Sequence, residues 1–337
     1  MVVLAVPSAG HATPAPTISQ VQQQVDALYA DGEVAAEKAN DAQVAADAAR
    51  AQLATLQANL AKAQATVDTA VDEAGSFAAA QYKASGLSPT LQLMLTSDSD
   101  GFLSRISRLD QLNEQQARAI TNVTQERASL AIQERAVQRE SDRLDDLTAT
   151  LNTAKAEADA KLAAAKALLG RLTAAEKARL DALRAAQEAS RSRAAAPPQA
   201  TGQDTGAAAP QEPAAPPVTP PSGRAAVAVA YALAQVGKPY QYGASGPGSY
   251  DCSGLTMASW RAAGVSLPHS SSGQYSVGTH VSASQLQPGD LVFYYSPIHH
   301  VGMYIGNGMI VHAANYGHPV MISPLYSMPY VGATRVG

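Results

Sequence analysis

The sequence predicts an all-α antiparallel coiled-coil hairpin followed by an α+β domain. Three observations carry that expectation. Small or apolar residues recur at alternating three- and four-residue steps from Ile18 to Phe77, the seam of a coiled coil. The run Ser85-Gly86-Leu87-Ser88-Pro89 breaks the helix, and a second seven-residue repeat follows it. Finally, 13 of the 17 aromatic residues, six of the seven His, Cys252 and Trp260 all fall in the last 114 of 337 positions. Charge divides at the same place. The back part holds only Arg224, Lys238, Arg261 and Arg335 against Asp251 and Asp290, so the acidic excess lies in front. A net charge of −4 and a pI near 6.0 exclude a strongly basic nucleic-acid binder. No run of 18 apolar residues is present to span a membrane.

Residues 1–12, MVVLAVPSAGHA, read as a signal-peptide remnant with small residues around a cleavage point after Ala12, although a positive leading region is missing. A secreted protein follows. One cysteine excludes an internal disulfide framework and in an exported chain marks a reactive thiol. Residues 13–190 form the expected helical hairpin, with an apolar elbow at 83–105. In its second arm Leu109, Val123, Leu130, Val137, Leu144, Leu151, Ala158, Ala165 and Leu172 recur on one heptad position. A parallel dimer is the rival arrangement; the mid-chain break favours a hairpin and a monomer. Residues 191–223 are rich in Pro and Ala, a semi-extended tether.

The domain at 224–337 has helical signals at 224–236, ended by Gly237, and at 252–263, with Asp251 before it and Gly264 after. Strand signals lie at 291–295, 301–305, 309–313, 320–322 and 331–336. Cys252 opens the second helix, where unpaired N–H groups and the dipole favour a thiolate. A thiolate needs a base beside it. A two-residue loop at 307–308 would pair 303 with 312 and set His300 and His312 on opposite faces. A three-residue loop at 306–308, with Gly308 left-handed, pairs 302 with 312 and makes the two His diagonal neighbours about 7–8 Å apart. The three-residue loop is the expectation. A metal site built on His299, His300, His312 and Cys252 is disfavoured, because adjacent His rarely bind one ion; no cofactor is expected.

The blocks GKPYQYG, YDCSGLT, LPHSSSGQY, LQPGDLVFYY and HHVGMYIGNGMIVHAA resemble the NlpC/p60 family of papain-like cysteine peptidases, over roughly 224–337. The resemblance implies a papain-like α+β fold with Cys252 as nucleophile, His300 as base and His312 as the residue that orients it. It places Tyr240 to help the oxyanion hole. Asp251 would cap the helix or bind a substrate amine, with Ser253 beside it on the substrate side. The substrate it implies is a peptidoglycan stem peptide, cut between D-glutamate (or its amide) and diaminopimelate, in cell-wall remodelling and cell separation. His269 departs from the family pattern, which often has Arg after Leu-Pro. The front half is similar to the arms of actinobacterial and firmicute cell-wall hydrolases, which dock to the division complex FtsE–FtsX. Leu91, Met94, Leu95, Phe102 and Ile106 would be the docking patch, or else would only close the hairpin tip. An arm of this kind is expected to localise the enzyme and to occlude its site. The alternative is an inert adaptor that activates other cell-wall hydrolases.

Overall fold

The computed structural model describes residues 17–84, 99–195 and 223–337. The expected signal remnant, residues 85–98 of the elbow and residues 196–222 of the tether lie outside them. So do Leu91, Met94 and Leu95 of the docking patch and the side chains of Phe102 and Ile106.

Two long helices, α1 (Ile18–Ala84) and α2 (Ser99–Gly170), follow the two heptad patterns. Thr17 and Gln20 start α1 with a reciprocal cap: the Thr17 N–H donates to Gln20 Oε1 at 2.8 Å and the Gln20 N–H to Thr17 Oγ1 at 3.3 Å. The second heptad pattern stops where Gly170 ends α2 and Thr173 and Glu176 build the same box for a new helix, α3 (Ala174–Ala195). That Thr-x-x-Glu signal went unread in the sequence.

The chain divides into two compact units. One is Ala45–Thr148. Its seam is shallow: Leu53, Leu56 and Leu60 stay half-buried, while Ala46, Ala49, Val67 and Ala70 are well covered. Small side chains at the other seam positions leave little apolar area to remove from water.

The other unit joins residues up to Val44 to Ala149–Gly337. In it α1 and α2 run antiparallel. Val21, Val25 and Tyr29 pack with Leu162, Ala165 and Leu169, while Ala39 and Ala42 pack with Leu151 and Ala154. Lys161 pairs with Asp31 at 2.8 Å along this line.

The remaining elements are α4 (Gly223–Leu233), α5 (Cys252–Ala262), α6 (Ser271–Tyr275) and six strands: β1 (Thr279–Val281), β2 (Leu291–Tyr294), β3 (His300–Gly306), β4 (Met309–Asn315), β5 (His318–Pro324) and β6 (Tyr330–Arg335). The strands make one antiparallel sheet in the order β1-β6-β2-β3-β4-β5. Leu255 and Ala258 of α5 join Leu291, Phe293, Val301, Met303 and Val311 of the sheet in the main core, with Trp260 in the same cluster. The helix expected at 224–236 is shorter, because 234–237 tighten into turns before Gly237 takes φ +89°. The short β1 and α6 were not expected; both are too brief for a periodic signal.

The β3–β4 hairpin corrects the expected loop. Its tip is a two-residue turn, Asn307-Gly308, closed by Gly306 opposite Met309, with φ of +54° and +68° at the tip. The register then slips at Ile305, so that Tyr304 faces Ile310 and Met303 faces Val311. The bulge restores the register that a three-residue loop would have set. His300 and His312 share a face for that reason.

Candidate active site

Asp251 adopts extended backbone ahead of α5, and its Oδ1 accepts from the Gly254 N–H at 2.6 Å. This cap puts Cys252 at the first turn, buried. Asp251 Oδ2 accepts from the Gly243 N–H at 2.7 Å, and His269 Nε2 lies 2.8 Å from Oδ1. Asp251 therefore ties the loop before α5 to the loop after it, and His269 is its partner. Gly254 sits under this knot: a Cβ there would lie 2.3 Å from the Ala244 carbonyl oxygen. Gly254→Ala must move backbone, with an expected loss of about 1–3 kcal/mol. Urea unfolding followed by Trp260 fluorescence measures it, and an unchanged midpoint would refute the tight packing described.

The sheet brings the two expected His together. His300 Nε2 and His312 Nδ1 are 2.8 Å apart, and His312 Nε2 lies 2.9 Å from Ser323 Oγ on β5. Burial lowers the pKa of His300 to about 4 and takes His312 well below its ordinary value, with His300 and His318 adding to the second shift. Ser323 was not singled out in the sequence; only the β4–β5 pairing reveals it.

Tyr240 is buried in the core cluster that holds Cys252 and packs edge-on against Tyr316, ring centroids 5.0 Å apart. Ser253 is fully buried behind Cys252. His299 stacks on Tyr295, its Nδ1 within 2.8 Å of the Pro297 carbonyl oxygen.

The other wall of the site comes from α1. Glu33 Oε1 is 2.5 Å from His300 Nδ1. Glu37 Oε1 accepts from Ser253 Oγ at 2.9 Å and Cys252 Sγ at 3.5 Å, and its Oε2 accepts from the Ser271 N–H at 2.8 Å. Asn40 Nδ2 donates to Asp251 Oδ2 at 3.4 Å. Asp41 accepts from the hydroxyls of Ser270 and Ser272. None of these α1 residues was read as part of the site. The available signal was a polar stripe, Glu33, Glu37 and Asp41, at four-residue spacing beside the apolar seam.

Burial pushes the Cys252 thiol well above its usual range, and the carboxylates of Glu37, Glu33 and Asp251 push the same way. The thiolate expected from the helix N-terminus is thus disfavoured while α1 is in place: lost hydration and like charge outweigh the dipole. Burial likewise raises Glu33 to about 8 and Glu37 to about 7. Among the described residues, Glu33, Cys252 and His300 offer three metal-ligand atoms within 4.8 Å of one another. The 2.5 Å between Glu33 and His300 fits a shared proton. It is shorter than two ligands on one ion would stand, given metal–ligand bonds of about 2 Å each in tetrahedral geometry.

The NlpC/P60 family model matches residues 237–335, the segment that holds Cys252, His300 and His312. A probable endopeptidase of Mycobacterium tuberculosis is 49% identical over 96 residues, 28% of this chain and 25% of that protein. A probable endopeptidase of Corynebacterium glutamicum is 43% identical over 104 residues, 31% of this chain and 50% of that protein. The chain therefore spans between a quarter and a half of the length of these curated relatives. The solved NlpC/p60 domain of the peptidoglycan hydrolase SagA is 32% identical, covering 33% of this chain and 98% of that one, with a TM-score of 0.32. Residues 237–335, in which the Cys252 helix packs on the strands of His300 and His312, form an NlpC/P60 domain.

Proposed function

We propose that the protein is a secreted, cell-wall-associated cysteine endopeptidase that hydrolyses peptidoglycan stem peptides between D-glutamate, or its amide, and diaminopimelate. The observation that carries the reading is the chain of contacts from His300 through His312 to Ser323, beside a buried thiol at a helix start. His312 occupies Nε2 of His300, so Nδ1 is the nitrogen left for Cys252. With the groove open, His300 takes the thiol proton and the thiolate attacks the amide carbonyl carbon. The tetrahedral intermediate collapses as His300 protonates the leaving amine, giving a thioester. Water then attacks the thioester with His300 as base, and the thiol is restored. His312 accepts from the imidazolium through Nδ1 and keeps its own proton on Nε2 toward Ser323, which fixes the tautomer. Tyr240 stands on the oxyanion side, and Asp251 and Ser253 on the substrate side. The arm localises the enzyme for cell separation, with the FtsE–FtsX complex as its partner, by the likeness of the front half to hydrolase arms.

The test is digestion of purified cell walls by the full chain carrying Glu33→Ala and Glu37→Ala, with and without Cys252→Ala. New peptide ends identified by mass name the bond. Products that do not depend on Cys252 would sink the reading, and no products from either chain would sink it and leave the adaptor role.

A further inference from the structure

The stretch from Leu291 to Thr334 contains no Asp, Glu, Lys or Arg, although charged residues make up 15% of the chain. Where it reaches the surface it does so with rings. Tyr326, in the loop between β5 and β6, is 58% exposed, and Ile322 on β5 is 41% exposed. Scattered exposed apolar groups need no account, but these are held in a built order. Tyr326 stands edge-on to Tyr330, centroids 5.8 Å apart, and Tyr330 stands edge-on to the buried Tyr294 at 6.5 Å. Tyr294 Oη donates to the Leu325 carbonyl oxygen at 2.8 Å, which ties the foot of this ladder to the loop that carries its top. Beside it, the Tyr295 N–H donates to the Pro329 carbonyl oxygen at 2.8 Å, and the Tyr295 ring stacks on His299, 4.4 Å away and tilted by 13°. Tyr295 is held at φ +67°, a left-handed backbone that bulky side chains avoid. Strain of this kind persists where the surroundings enforce it, and it gathers at ligand contacts.

The ridge borders the reacting groups. Tyr295, Ile322, Pro324 and Met328 line a cleft that also reaches His300 and His312. We propose that Tyr295, His299, Tyr326 and Tyr330 form a saccharide-binding platform that takes an uncharged polysaccharide, a glycan strand of the wall, and holds it beside this cleft. The choice of a wall glycan rests on the reading of the chain as a wall hydrolase.

A pyranose ring has a face of C–H bonds and an edge of hydroxyls. Tyr and His answer both, with a ring face for the C–H bonds and O–H or N–H groups for the hydroxyls. Tyr also orders few torsions when it binds. The other candidates need charge that this face lacks. A nucleic acid or an anionic membrane is met by clustered Lys and Arg, and an acidic peptide by at least some. None lies between 291 and 334. Charges from outside that stretch are already engaged. Asp290, which reaches Tyr330, is paired with Arg335 at 2.8 Å, and Glu33, which lines the same cleft, stands against His300. Tyr326 and Ile322 are exposed while Glu37 of α1 sits 3.5 Å from Cys252 Sγ. The platform is therefore open to a strand before any peptide reaches the thiol. A strand held there raises the local concentration of stem peptides, so the platform acts on walls and has no effect on free peptides.

The experiment titrates chitohexaose into the full chain carrying Cys252→Ala, by calorimetry. Tyr326→Ala is expected to weaken binding about 3–10-fold, the worth of one aromatic contact. Tyr326→Leu keeps apolar bulk without a ring and should weaken it as much, while Tyr326→Trp should bind at least as tightly as the parent. Equal urea midpoints show that all three chains are folded. Affinity should hold constant from about 0.05 to 0.5 M salt, because the ligand carries no charge to screen. In the chain with Cys252 intact and Glu33→Ala, Glu37→Ala, adding Tyr326→Ala should raise KM for walls and leave kcat and hydrolysis of a soluble stem peptide unchanged. A leucine chain that binds like the parent would overturn the platform. So would capture by equimolar phosphatidylglycerol–phosphatidylcholine vesicles in place of the sugar, which would make the ridge a membrane contact. Wall products without sugar binding would overturn the platform alone. Sugar binding without wall products would overturn the peptidase reading and leave the platform standing.

Discussion

With the groove opened by Glu33→Ala and Glu37→Ala, replacing Cys252 with alanine lowers the cell-wall hydrolysis rate by on the order of 10⁴-fold or more. Removing a nucleophile ends covalent catalysis, and what remains is binding and oxyanion stabilisation. The fold should tolerate the change. Cys252 is 1% exposed, its weak sulfur contacts run to Glu37 and the His299 carbonyl, and alanine suits a helix start that Asp251 already caps. The measurement is initial rate of peptide release at matched far-ultraviolet dichroism. A residual rate above a tenth of the parent would refute Cys252 as nucleophile.

His312→Ala is expected to cost about 10²–10⁴-fold in kcat with KM nearly unchanged. His300 Nε2 has His312 as its partner at 2.8 Å, deep in the domain. Without it, the imidazolium formed on proton transfer keeps an unpaired, buried N–H, which raises the barrier at the step where charge develops. Asparagine or glutamine at 312 can accept the same hydrogen bond and should recover part of the rate. An acid-limb pKa in the kcat profile that stays put in His312→Ala would refute the orienting role. Ser323→Ala, one contact further out, removes only the acceptor that holds the His312 tautomer and should have a smaller effect.

The sequence made most of this fold readable where a periodic pattern met a clear stop. The α1 seam, the Asp251 cap and the Gly264 end of α5 all lie where side-chain pattern and backbone need coincide. Cys252, His300 and His312 were readable because one hairpin fixes two of them and a capped helix fixes the third. Three parts were hidden for physical reasons. The Thr173 box is a local signal inside a seemingly continuous heptad run. Ser323 joins the site by cross-strand pairing, which no local window contains. Glu33, Glu37 and Asp41 look like a solvated face, since a carboxylate beside a coiled-coil seam usually is one; what buries them is a domain more than 200 residues away in the chain.

The bulge at Ile305 has a meaning for counting. His300 and His312 both carry even numbers, so they can share a face only when the sums of paired positions are even; 303 with 311 satisfies this. A plain two-residue turn at 307–308 makes every sum odd. The extra residue changes the parity. Deleting Ile305 should therefore leave the imidazoles facing each other across a plain hairpin, at a chain separation of eleven. Flattening the bulge at the present length would part them. Distance along the chain is negotiable for this pair, and parity is the invariant that a designer of this hairpin would have to keep.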